Sequence, residues 1–339
     1  MPKIQVPKSE FRVPSSKIQV PSSKLRVPSS EFQVPTPKFR SSSFLCRQMK
    51  YTNWLKWPIF ILLCFIWGSA FILMKSSRDG LTGVQIGGLR IFSAGLVCLP
   101  FLISHRRHFP AKKMWLLFAT GLCGNLLPAF LFALAVTRID SSLAGILNSL
   151  TPLVVICLAV WFFRDRFAGR KVVGVLLGFA GLCLLTFTQD NLNLGNLGFA
   201  SLVLLATIFY GLNVNLVAHF LKGYPSAAIT TVSLSMMVIP AFTILAFTGF
   251  FSLDFQDNVI QWAVLNTVVL GIAGSAIGTA LFYLLVQQAG GLFASLVTYG
   301  IPFIALFWGF LDGEKITPVT IVSLVIILAG VFLANKKTG

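Results

Sequence analysis

The sequence predicts an all-α integral membrane protein of ten transmembrane helices, arranged as two inverted five-helix repeats. Of its 339 residues, 56% are hydrophobic and only 11% are charged, where an ordinary soluble domain carries about 25% charged residues. From Trp57 to Ala334 the apolar residues fall in long runs separated by short polar breaks. A shift of 150 residues lays part of the first half on the second. The mean hydropathy of +0.83 agrees. Folded surface grows more slowly than mass but never vanishes, so a water-soluble chain could not hide this much apolar surface.

Residues 1–48 stand apart. Val-Pro pairs recur every seven residues, at Val6-Pro7, Val13-Pro14, Val20-Pro21, Val27-Pro28 and Val34-Pro35. Such a period suits a coiled coil, but a proline in every heptad removes a helical donor and clashes with the preceding turn. The tail is therefore expected to be extended and disordered. It lacks the apolar stretch of a signal peptide. Two readings of it stand: a disordered tail, or translated tandem-repeat DNA upstream of a true start at Met49. Nine basic and two acidic residues lie here, so the tail supplies much of the +17 net charge. The remaining charges flank apolar runs, which points to membrane topology and not to a nucleic-acid partner.

The runs span roughly 57–74, 84–104, 114–136, 140–162, 171–188, 198–221, 227–250, 260–286, 291–311 and 317–334. A bilayer core needs about 20 residues of helix, and backbone groups in lipid must bond internally, so continuous runs read as helices. A β-barrel would show alternating strands instead. With a cytoplasmic N-terminus, thirteen basic residues fall in the inside breaks, among them Arg106, Arg107, Lys112, Lys113, Arg164, Arg166, Arg170, Lys171, Lys336 and Lys337. Only Lys75, Arg78, Arg138 and Lys315 fall outside. This positive-inside bias predicts a multi-pass protein of the plasma (inner) membrane with both termini cytoplasmic.

At the 150-residue shift Gly121 meets Gly271, Gly124 meets Gly274, Phe132 meets Phe282, Ala144 meets Ala294 and Pro152 meets Pro302. The expected repeats cover 55–188 and 197–335. Five helices per copy is an odd number, so the second copy enters the membrane upside down. Inverted repeats characterise secondary transporters, whose solute site lies between the repeats near the midplane. That architecture leaves substrate, direction, coupling ion and oligomeric state open.

Trp67-Gly68-Ser69-Ala70-Phe71 resembles the WGxxF signature of the EamA family, within the drug/metabolite transporter superfamily. The likeness continues through Arg90, Pro152, Pro302, Gly313-Glu314 and Ala329-Gly330, and covers about residues 55–335. It implies five plus five helices and movement of small organic solutes, often export of amino acids or related metabolites. The chain departs from the family at Arg164-Asp165-Arg166, where a Gly-Glu pair is common.

Polar groups inside membrane helices are costly and mark candidate pathways. Asn148 and Thr298 each lie one helical turn before a proline, Pro152 and Pro302, which are candidate helix breaks. They either line a cavity or bond between helices. Ser275, Thr279, Tyr283 and Gln287 form a stripe spaced by four, read as a cavity wall, and Asn125 is the repeat partner of Ser275. Ser295, Tyr299 and Pro302 share a face of the ninth run, and Trp67 either stacks on a solute or packs near Gly68. Arg90 either anchors a carboxylate or phosphate, or pairs with backbone carbonyls or snorkels outward.

All acids outside the tail fall at run ends or in breaks. Coupling through a buried acid is therefore disfavoured. The six cysteines are scattered, so no metal site is expected. No Walker, GxSxG or HExxH motif occurs, so neither a cofactor nor an enzymatic activity is expected. The partners expected are a small-molecule solute and the lipid bilayer. The sequence thus reads as a secondary transporter of amino acid-like or related metabolites, an exporter working by alternating access. A lipid scramblase or flippase-like protein, and a membrane sensor or scaffold with the tail as output, are the alternatives.

Overall fold

The computed structural model describes residues 55–136, 138–139, 141–187, 197–311 and 317–335. The heptad tail, Gly313-Glu314, Asp140, Asp190, Lys315, Lys336 and Lys337 lie outside the described residues. Within them the chain is helical throughout, with no strand.

Helix α1 (Lys56–Ser77) is followed by α2 (Gly83–Cys98), which continues through a 3-10 turn at Leu99–Phe101 into α3 (Leu102–Arg106). Helices α4 (Met114–Gly121) and α5 (Leu127–Ala135) are joined by a π-helical stretch, Leu122–Leu126. Helices α6 (Ser141–Asn148) and α7 (Thr151–Phe163) meet at a break, and α8 (Gly169–Phe187) closes the first half. The second half opens with α9 (Leu197–Phe220), then α10 (Ser226–Met236) and α11 (Val238–Phe247) end to end. Helices α12 (Asn258–Val269) and α13 (Gly278–Ala289) flank a second π stretch, Leu270–Ile277. Helices α14 (Gly291–Ser295), α15 (Val297–Leu311) and α16 (Pro318–Asn335) complete the chain.

Among the described residues seven stretches are long and apolar enough to cross a membrane: Lys56–Met74, Gly83–Arg106, Ala111–Ala135, Gly198–Phe220, Ser226–Phe247, Asn258–Ala289 and Pro318–Asn335. The fourth and ninth expected runs are interrupted helices instead, whose apolar parts are Thr151–Phe163 and Gly291–Ile304. Their breaks differ from expectation. The fourth breaks at Ser149–Leu150, and Pro152 then sits in the first turn of α7, where its missing N–H costs nothing. The ninth breaks at Leu296, and α15 runs on through Pro302. Because the break comes first, the proline lies within two turns of a helix start rather than inside a long helix.

The ends are fixed locally. Thr82 caps α2 in a reciprocal box with Gln85, and Asp257 caps α12 by accepting from Val259 N at 2.8 Å. Arg164 closes α7 in the left-handed region at φ 56°.

Close packing comes from glycine. A Cβ on Gly68 of α1 would lie 2.6 Å from Ile304 Cβ of α15, and one on Gly95 of α2 would lie 2.6 Å from Leu234 O of α10. Helices α8 and α16 touch backbone to backbone through Gly174, Gly178 and Gly330. Large apolar side chains face outward, Phe247 at 88% exposure and Trp161 at 79%. Trp57, Trp115, Trp161 and Trp262 all sit near helix ends. Such a surface suits lipid, with the tryptophans at its interfaces.

Inside are two large apolar clusters. One gathers Phe60, Leu63, Leu117, Val217, Leu221 and Leu285. The other gathers Leu81, Ile86, Val136, Val203, Phe250 and Ala263.

Candidate functional site

A cavity of about 120 Å³ lies where the two clusters meet. Trp67, Val214, Phe282 and Tyr283 on its wall belong to or pack on the first cluster. Ala70, Met74, Phe132 and Tyr210 do so with the second. Both halves of the chain build the wall, and matched positions contribute from each: Gly124 with Gly274, Phe132 with Phe282, and Asn148 with Thr298. Trp67 and Arg90 place the cavity near the middle of α1 and α2.

The two π stretches shape the wall. At the second, the Gly278 N–H bonds Ala273 O and Ser275 O and skips Gly274 O, its α-helical partner. Trp67 Nε1 donates to that carbonyl at 3.0 Å, so the indole crosses from α1 to the π stretch. The ring centroid lies 5.2 Å from that of Phe282. At the first π stretch the Leu127 N–H likewise reaches back to Leu122 O. Asn125 belongs to this stretch, and π-bulges inside α-helices frequently mark functional sites.

The polar wall is cross-linked once between the halves, by Thr279, and once within the second half, by Tyr283. Thr279 Oγ1 donates to Asn125 Oδ1 at 3.0 Å, and the Tyr283 hydroxyl donates to Asn213 Oδ1 at 3.3 Å. Asn125 Nδ2 is buried and makes no hydrogen bond among the described residues. Gly124 lets Asn213 pack on the α4–α5 backbone, since a Cβ there would lie 2.5 Å from Asn213 Nδ2.

Arg90 is, among the described residues, the one charged residue in the middle of a membrane-length helix. Its Nε donates to Ser275 Oγ at 2.8 Å across the halves. Among the described residues no carboxylate pairs with it and none accepts from its terminal nitrogens.

Of the residues singled out in the sequence, Trp67, Arg90, Asn125, Asn148, Thr279, Tyr283 and Thr298 converge on this cavity. Ser275 stands behind Arg90 and holds it. Tyr299 lies elsewhere: its hydroxyl donates to Val175 O on α8 at 2.8 Å and its ring packs on Gly178. Gln287 ends the stripe away from the cavity, donating to Leu221 O and Tyr224 O. Tyr210, Asn213, Thr151 and Ser295 also line the wall, and sequence reasoning did not pick them out as wall residues. Tyr210 and Asn213 carried a signal, as polar residues inside an apolar helix. Thr151 and Ser295 carried little, because each lies beside a helix break that no spacing announced.

The arrangement offers an arginine, several hydroxyls and carboxamides, and five aromatic side chains around a space fit for a small molecule. Among the described residues no group of His, Cys, Asp and Glu could hold a metal.

Known proteins resemble the chain along nearly all of this helical region. An uncharacterized transporter of Archaeoglobus fulgidus is 25% identical over 83% of this chain and 99% of its own length. An uncharacterized inner membrane transporter of Escherichia coli, YedA, is 24% identical over 80% of this chain and 88% of its own. A solved crystal structure of a protein shares the fold at a TM-score of 0.63 and 16% identity, over 83% of this chain and 96% of that one. The EamA-like transporter family matches twice, over residues 55–187 and 198–336. The chain therefore belongs to the EamA-like transporter family, multi-pass membrane transporters of the drug/metabolite transporter superfamily.

Proposed function

We propose that the chain is a secondary transporter that exports a small organic metabolite, amino acid-like or related, through this cavity by alternating access. In this reading ten transmembrane helices form two inverted five-helix repeats, over 55–188 and 197–335, with both termini cytoplasmic. The cavity's position carries the reading. It lies midway along the helices, between two apolar clusters, and is walled by matched residues of both halves. Either cluster can then serve as the closed end while the other loosens. The paired π stretches and the interrupted fourth and ninth helices add support, because discontinuous helices form the solute sites of many secondary transporters.

Candidate solutes are found by a thermal-shift screen of the purified protein against amino acids, nucleosides, sugars, polyamines and lipids. A ligand at 100 times its dissociation constant raises stability by about 2.7 kcal/mol. The hit then enters flux assays in liposomes with the double variant Asn148→Leu, Thr298→Val. Transport is expected to fall about tenfold or more, the equivalent of about 1.4 kcal/mol, while folded yield persists. Wild-type flux in that variant would remove both residues from the pathway. A shift with lipids alone would favour a lipid-moving protein.

A further inference from the structure

We infer that the cavity binds a small organic monoanion, a carboxylate joined to an apolar body, with Arg90 holding the carboxylate. This rests on the transporter reading and narrows its class of solute.

Arg90 lines the cavity as a buried-depth cation that, among the described residues, has no acid partner. No Asp or Glu appears on the described wall. A charge at membrane depth without a counter-ion is costly, and a bound anion removes that cost. Geometry selects the head group. Ser275 Oγ occupies Nε at 2.8 Å, which leaves the two terminal nitrogens as an end-on fork, the arrangement that takes a carboxylate bidentately.

Charge balance selects further. One guanidinium neutralises one carboxylate. A phosphate monoester carries about −1.5 to −2 and would leave buried negative charge without a partner. A solute with only an ammonium group would add a second positive charge where the described wall offers no carboxylate. Size and surface select the body. The space of about 120 Å³ is close to the apolar cavity of about 150 Å³ that accepts benzene. Trp67, Phe132 and Phe282 supply aromatic wall to the same cavity.

The test is calorimetric titration of the detergent-purified full chain with four probes sharing one ring: phenylacetate, phenylacetamide, phenethylamine and phenyl phosphate. Phenylacetate is expected to bind about ten- to a hundredfold more tightly than its amide, the range of a hydrogen bond to a charged group. Arg90→Gln should bring acid and amide to equal affinity, and Arg90→Lys should keep part of the preference. If Arg90→Gln does not fold, the acid-to-amide ratio of the unaltered protein decides alone. Equal binding of acid and amide, tighter binding of the amine or the phosphate, or no binding of the acid overturns the proposal.

Liposome flux separates this proposal from the one on which it rests. Binding of the acid without flux sinks the transporter reading and leaves the anion site standing. Flux of neutral solutes without any preference for the acid does the reverse.

Discussion

Two tyrosines one helix apart show how a single side chain earns or loses a place in the site. Tyr283 reaches Asn213 on the cavity wall, whereas Tyr299 donates to the Val175 carbonyl and lies outside it. Tyr299→Phe is expected to lower stability by about 1 kcal/mol, the value of one buried hydrogen bond, and to leave solute affinity unchanged. Denaturation and titration on one sample check both halves of that statement. Trp67→Phe should act differently. It strips the Gly274 carbonyl of its indole donor, so flux should fall along with stability. The wall residues were legible wherever an isolated polar group stood in an apolar run, as with Asn125, Asn148 and Thr279. Tyr299 was misplaced because spacing by four assumes an unbroken helix. The chain breaks at Leu296, so Ser295 faces the cavity while Tyr299 turns toward α8. Ser275 shifts behind the wall for a related reason: the π stretch Leu270–Ile277 alters the period of the stripe.

At the scale of the element, the helical runs could be read from the sequence because hydropathy records burial in lipid directly. The π stretches could not, since neither Leu122–Leu126 nor Leu270–Ile277 differs in composition from ordinary apolar helix. A π stretch is in effect one residue added to an α-helix. Deleting Leu122 should restore regular α geometry with α5 held in phase, and draw Asn125, which lies inside the stretch, away from Thr279. A helical, monodisperse protein with lost flux is the expected result, read by circular dichroism and liposome assay. The α8–α16 contact calls for the opposite behaviour. Gly330→Val places a branched side chain against the Gly178 backbone and should cost about 1–3 kcal/mol by overpacking, visible as a lowered unfolding temperature.

For the whole molecule, the duplication was legible because glycine and proline pairs survive at a constant shift, and the structure lines matched residues along one cavity. Which halves face which compartment is a matter of loop charge. Single cysteines placed at Lys112 and at Gln256, in a background without native cysteine, should label from opposite sides of sealed vesicles. Labelling of both from one side would refute the inverted arrangement. Arg90 has an electrical consequence as well. If the cargo is a monoanion and no proton or cation leaves with it, each turnover carries current. An inside-negative voltage of 100 mV then supplies about 2.3 kcal/mol outward, roughly a fiftyfold concentration ratio. The resting potential of the membrane would itself be the engine of export, and clamping it to zero with a potassium ionophore should stall accumulation.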